Sequence, residues 1–109
     1  MSGRGNYSGI DFKQLDLTKI DLSSADLSHT NFYKARLKGA DLTSADLSDS
    51  NFRSADLSNA CIADAVLTCC DMMRTRLEGA TLPDQSCSQE QVQQIHYLKS
   101  LKIPGLTVG

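Results

Sequence analysis

His29, Asp49 and Cys69 are the three residue types of a nucleophilic triad, and they stand twenty residues apart. In such a triad a thiolate attacks, an imidazole takes its proton and a carboxylate orients the imidazole, so the base must lie between the other two. Even spacing would put the carboxylate in the middle instead. That order is wrong for catalysis and suits a His29–Asp49 ion pair. Cys61, Cys69, Cys70 and Cys87 form no CxxC motif, and with only His29 and His96 beside them they make no zinc ligand set. Reduced structural thiols are expected, with a disulfide through Cys61 or Cys87 as the alternative. The sequence contains no Gly-rich phosphate loop, HExxH or GxSxG. Its many Asp residues alternate with Leu and Ser and do not gather toward one cleft. No catalytic residue, metal or cofactor is expected.

Residues twenty apart can meet only if the chain returns to the same place, and the stretch from Ile10 to Asp84 supplies the reason. It repeats one five-residue unit fifteen times without an insertion, as in Ala40-Asp41-Leu42-Thr43-Ser44 and Ala45-Asp46-Leu47-Ser48-Asp49. Gly5-Asn6-Tyr7-Ser8-Gly9 adds a degenerate unit before it. The middle residue of every unit, from Tyr7 and Phe12 to Leu77 and Leu82, is large and apolar. Two positions earlier the side chain is usually small, most often Ala. A period of five matches neither a helix nor a flat strand. It fits a coil that turns a corner every five residues, with the middle and small side chains inward and backbone groups pairing between coils. Phe12, Phe32 and Phe52 stand twenty apart and are followed by Met72. Four units per coil would stack them in one ladder, which gives about four coils between Gly5 and Asp84, roughly 20 Å tall at the usual strand spacing.

Ala25-Asp26-Leu27, Ala40-Asp41-Leu42, Ala45-Asp46-Leu47 and Ala55-Asp56-Leu57 carry a resemblance to the pentapeptide repeat family, whose consensus is A-(D/N)-L-x-x. Ile20-Asp21-Leu22, Thr30-Asn31-Phe32 and Ser50-Asn51-Phe52 match it with one conservative change. The resemblance covers about three quarters of the chain and implies an all-β solenoid, a right-handed quadrilateral β-helix. Departures cluster where Cys61, Val66 and Arg76 replace Asp or Asn, and in the first coil, where Ile10, Leu15 and Ile20 replace Ala. Those three bulky residues are expected to plug the first coil or to form an apolar patch that docks onto another copy or a larger protein. Asp and Asn are expected to serve the corner turns by bonding nearby backbone amides.

The 109 residues allow one domain, and with 6% aromatics and no Trp its core must come from Leu and Ala. Residues 1–4 read as a flexible arm, 5–84 as the β-helix and 85–109 as a C-terminal helix and tail. Ser88-Gln89-Glu90-Gln91 has the form of a capping box, and Val92, Ile95, Leu98 and Leu101 follow at helical spacing until Ile103-Pro104-Gly105. This helix is expected to cap the last coil, and dimerisation through a solenoid end is the alternative. A net charge of −2 argues against direct nucleic-acid or anionic-membrane binding. No apolar run approaches a membrane span, and no secretory signal is seen, so a cytoplasmic location is expected.

Reading columns at twenty-residue spacing locates surface charge. Beside the Phe ladder stand Lys13, Tyr33, Arg53 and Met73, with Lys34 and Arg74 one position on. The opposite face carries Asp21, Asp41, Asp64 and Asp84. Asp16, Arg36, Asp56 and Arg76 alternate in sign and are expected to favour the correct register. The expected function is a non-enzymatic scaffold or protein–protein interaction module with the basic stripe as its docking face, and its partner a protein. The family resemblance implies one alternative, a duplex-DNA mimic acting on a type II topoisomerase such as gyrase.

Overall fold

The computed structural model describes residues 5–81, which wind into a stack of four-sided coils. Among the described residues the chain segments are joined by parallel bridges between residues twenty apart, as in Asp11↔Asn31, Asn31↔Asn51 and Asn51↔Asp71. The coils span 5–24, 25–44, 45–64 and 65–81. Each five-residue unit makes one side and the turn that ends it, so Tyr7, Phe12, Leu17 and Leu22 are the middle residues of the first, second, third and fourth sides of the first coil. The bridges are isolated, and no continuous strand forms among the described residues. Turning every five residues leaves each side too short for more than one bridging residue.

Why the unit reads A-(D/N)-L-x-x follows from accounting for its backbone N–H groups. In the unit from Ala40, the Ala40 N–H closes a turn onto the Leu37 carbonyl at 2.9 Å. Asp41 donates to the Ile20 carbonyl on one neighbouring coil, and Leu42 and Ser44 donate to Cys61 and Ala63 on the other. Only the Thr43 N–H lacks a place in the ladder, and it donates to Asp41 Oδ1 at 3.0 Å. The Asp or Asn side chain therefore satisfies the one donor the coil leaves over, as a buried or half-buried backbone requires. The expected role of these residues in the turns is confirmed in this detail.

The last residue of each unit adopts the left-handed region. Twelve non-glycine residues do so, among them Lys34, Ser44 and Arg74, with φ between 55° and 61°. Such a residue costs roughly 1–2 kcal/mol against the right-handed form. The ladder bond from its own N–H, 2.8 Å from Ser44 N to the Ala63 carbonyl, and the turn bond beyond it hold it there. At Gly79, whose φ is 74°, a Cβ would meet the side-chain oxygen of Asn59, which would have to turn aside.

The middle side chains fill the interior as the repeat implies. Leu22, Leu27, Leu37, Leu42, Leu47, Leu57, Ile62 and Leu77 are fully buried. Phe12, Phe32 and Phe52 stack with ring centroids 5.1 and 4.5 Å apart, the ladder predicted from their spacing, and Met72 continues the column. Where Thr30, Ser50 and Thr75 take the small inward position, each hydroxyl donates to a carbonyl, those of Leu27, Leu47 and Phe52. Such bonds remove the penalty of burying a hydroxyl.

In the first coil the bulky substitutes do not plug the end. Ile10 is 40% and Leu15 47% exposed, and Ile20 is half-buried, so the apolar-patch expectation is the one that fits. Cys61, Cys69 and Cys70 are unpaired thiols, which removes a Cys61 disulfide with either of the other two. Residues 1–4, the helix expected to carry Val92, Ile95, Leu98 and Leu101, and Asp84 and Cys87 lie outside the described residues.

Candidate docking surface

The six residues of the candidate face fall on the turn that ends the second side. Lys13, Tyr33, Arg53 and Met73 form one column there, and Lys34 and Arg74 belong to the next, where they alternate with Gln14 and Ser54. Each turn is pinned twice. The residue after it donates back to the backbone carbonyl of the side's apolar residue, as from Ala35 to Phe32 at 2.9 Å, and the side's Asp or Asn takes the first turn N–H, as from Arg53 to Asn51 at 2.9 Å. The Lys13, Arg53 and Met73 side chains are exposed and Tyr33 is half-buried, while Lys34 and Arg74 project from left-handed positions. All six stand together, as their spacing implies.

Their charges are only partly engaged. Arg53 Nε lies 3.3 Å from Asp71 Oδ2, while Asp71 Oδ1 accepts the Met73 N–H at 3.1 Å. Lys34 Nζ sits 5.4 Å from the Tyr33 ring centroid, a cation–π geometry. The alternating column is also present, its backbone joined by β-bridges from Asp16 to Arg36, from Arg36 to Asp56 and from Asp56 to Arg76. Arg76 also pairs with Glu78 of its own turn at 3.7 Å.

The fourth side carries Asp21, Asp41 and, at its closing turn, Asp64, as expected. Four carboxyls of the body are held below the usual range by local donors. For Asp16, Asp21 and Asp26 the hydroxyl of Thr18, Ser23 or Ser28 is the main cause, followed by that residue's N–H. At Asp56 burial pushes upward, and the Ser58 hydroxyl and N–H, with Arg76 and Lys38, more than offset it. A carboxyl with a depressed folded pKa adds stability that is present above its unfolded value of about 3.9 and lost as pH falls through the folded one. The body should therefore lose stability below about pH 4. Replacing Asp16, Asp21, Asp26 and Asp56 by Asn keeps the turn acceptor, as Asn31 does for Tyr33 N–H at 3.0 Å. Thermal melts followed by circular dichroism should show this variant's acid limb flattened. An acid limb identical to the parent's would mean these bonds do not set it.

The tempting triad column behaves as its order implies. His29 Nε2 lies 3.7 Å from Asp49 Oδ2, both side chains are exposed, and Cys69 stands beyond the carboxylate. Cys70 is buried beside Ser50, and burial pushes its thiol up to about 12, so it is not a nucleophile at neutral pH. Among the described residues no group of three or more His, Cys, Asp or Glu could hold a metal ion.

The family model for the pentapeptide repeat region matches residues 6–82. The chain belongs to the pentapeptide repeat family. Its coil is the family's right-handed quadrilateral β-helix. A pentapeptide repeat protein from the thylakoid lumen of Arabidopsis thaliana is similar at 27% identity and a TM-score of 0.71, over 95% of this chain and 61% of that one. HetL, a pentapeptide repeat protein involved in heterocyst differentiation regulation in the cyanobacterium Nostoc sp. strain PCC 7120, is 31% identical over 75% of this chain and 41% of its own, with a TM-score of 0.45. QnrB1, a plasmid-mediated fluoroquinolone resistance protein, is 12% identical over 96% of this chain and 90% of its own, with a TM-score of 0.38. This pentapeptide repeat chain thus spans about three fifths of the first of these proteins and two fifths of the second. No curated protein matches it.

Sequence reasoning missed the extent of the basic surface. Lys19, Arg36, Lys38 and Arg76 are all exposed on the third side and its closing turn, next to the candidate face. The signal was available in the columns. The Asp16 to Arg76 column alternates in sign, and Lys19 and Lys38 stand in neighbouring columns.

Proposed function

We propose that this pentapeptide repeat chain is a non-enzymatic protein-interaction module that docks a partner on the turn carrying Lys13, Tyr33, Lys34, Arg53, Met73 and Arg74. The observation that carries this reading is their shared placement, five exposed and Tyr33 half-buried, on a backbone pinned by two hydrogen bonds per turn. A backbone held this rigidly gives up little backbone entropy on binding. Polar charge with one exposed thioether and one half-buried phenol is the mixture found in protein interfaces. The ordering of His29, Asp49 and Cys69 supports a role without turnover.

Affinity capture with the intact chain from extract of its own cells tests the reading. A partner recovered in near-equal amount should be lost when Lys34, Arg53 and Arg74 are all changed to Glu, with far-UV circular dichroism unaltered. Undiminished recovery would remove this face from the proposal. The DNA-mimic reading draws on the carboxylates of the first and fourth sides, and a gyrase supercoiling assay without effect at high protein concentration would dispose of it.

A further inference from the structure

All eight Lys and Arg residues of 5–81 lie in one sector of the surface, from the turn ending the second side to the turn ending the third. Lys13, Arg53, Lys34 and Arg74 hold its near edge, Arg36 and Arg76 its middle, and Lys38 and Lys19 its far edge. Three acids, Asp16, Asp56 and Glu78, share the sector, and its net charge is +5. The rest of the body's surface carries eight acids and no Lys or Arg.

The fold accounts for the acids and not for the bases. Asp11, Asp21, Asp26, Asp41, Asp46 and Asp71, six of the eight outside the sector, accept the leftover turn N–H of their own unit. An acceptor, Asp or Asn, is required at these places whatever the protein binds. No backbone group calls for a Lys or Arg at any of the eight basic positions. Arg36 and Arg76 even occupy the Asp/Asn position, where an Arg cannot accept the N–H of Lys38 or Glu78. Six of the cations, Lys13, Lys19, Lys34, Arg36, Lys38 and Arg74, enter no ion pair among the described residues.

We infer that this sector, and above all the corner formed by Lys34, Arg36, Arg74 and Arg76, binds an acidic extended segment of a protein partner running along the stack. This rests on the interaction-module reading and adds the partner's chemistry and place. The sector crosses four coils, about 14 Å at the usual strand spacing, which is the reach of roughly four or five extended residues. Carboxylates spaced along such a segment would meet cations at the corner, with Tyr33 and Met73 at its margin for an apolar side chain. A polyphosphate fits less well. The basic strip is interrupted by Asp16, Asp56 and Glu78 and bordered by Asp11, Asp71, Asp21 and Asp41, which would repel a partner as broad and uniformly charged as duplex DNA.

Fluorescence anisotropy with a labelled Glu/Asp-rich dodecapeptide and the intact chain tests the inference. Saturable binding that weakens from low to physiological salt is expected, as for exposed charges. Changing Lys34, Arg36 and Arg74 together to Glu should weaken it by at least about tenfold, whereas Asp64→Asn should leave it within about twofold. Should the triple reversal unfold, the corresponding Gln variant should still lose most of the binding. The inference is overturned by absence of saturable binding, by equal affinity of the corner variants, or by a short DNA duplex that competes better than unlabelled peptide. If peptide binding fails while the captured cellular partner still depends on Lys34, Arg53 and Arg74, the module reading stands and only the acidic-segment chemistry falls.

Discussion

Phe32→Ala is expected to destabilise the fold by about 3–5 kcal/mol, the cost of truncating a buried phenyl ring without collapse of the space it leaves. Phe32 is fully buried in the second coil and is stacked from both sides, 5.1 Å from Phe12 and 4.5 Å from Phe52, at interplanar angles of 11° and 13°. Collapse is hindered because the backbone above and below is tied coil to coil, with Phe32 N 2.6 Å from the Asn51 carbonyl and Phe12 N 2.7 Å from that of Asn31. Phe32→Leu should cost less, about 1–3 kcal/mol for two lost ring contacts, because Leu fits the equivalent place on the other sides. Phe12→Ala should cost less than Phe32→Ala, since among the described residues Phe12 stacks on one ring and Phe32 on two. Urea unfolding of the three variants orders them. Equal midpoints for Phe32→Ala and Phe32→Leu would show that the ring contacts, and not the filled volume, carry the cost.

The Phe ladder also shows why so much of this fold was legible. A solenoid repeats one local solution, so the twenty-residue return of Phe12, Phe32 and Phe52 gives side number, register and interior together. Ala and Leu at fixed offsets mark the inward positions, and burial follows them closely in the second and third coils. The left-handed turn residues were less visible, because Gln14, Lys34, Ser54 and Arg74 share no side-chain chemistry that announces a positive φ. Ladder bonds impose that conformation, and ladder bonds do not appear in composition. Nor does the second bond of the Asp-x-Ser pairs, in which Ser23, Ser28 and Ser48 each donate a hydroxyl to the carboxylate two residues back. The six face residues were found by column, yet a column treats each line of residues separately. Charge sums across neighbouring lines, so the basic sector emerged only when the second turn and the third side were taken together.

The small inward position makes the opposite demand from the Phe position, and Ala45→Leu is expected to destabilise by about 1–3 kcal/mol. Ala45 has no exposed surface and lies in a column between Ala25 and Ala65, both buried. Its N–H closes the turn onto the Leu42 carbonyl at 3.1 Å, and its carbonyl accepts the Val66 N–H at 2.9 Å. The backbone therefore cannot retreat to admit an isobutyl group without breaking bonds on both sides. Bulk is accommodated at this position only in the first coil, where Ile10 and Leu15 spill outward to 40% and 47% exposure. Ile10→Ala should accordingly change stability by no more than about 0.5 kcal/mol, as for most exposed positions. The pair of variants separates two explanations of the Ala-rich column. If Ala45→Leu is as mild as Ile10→Ala, the interior has slack and the alanines reflect only a repeated sequence. If it is costly while Ile10→Ala is not, packing between coils sets the residue size, and the end coil keeps its bulky residues because nothing among the described residues stacks above them.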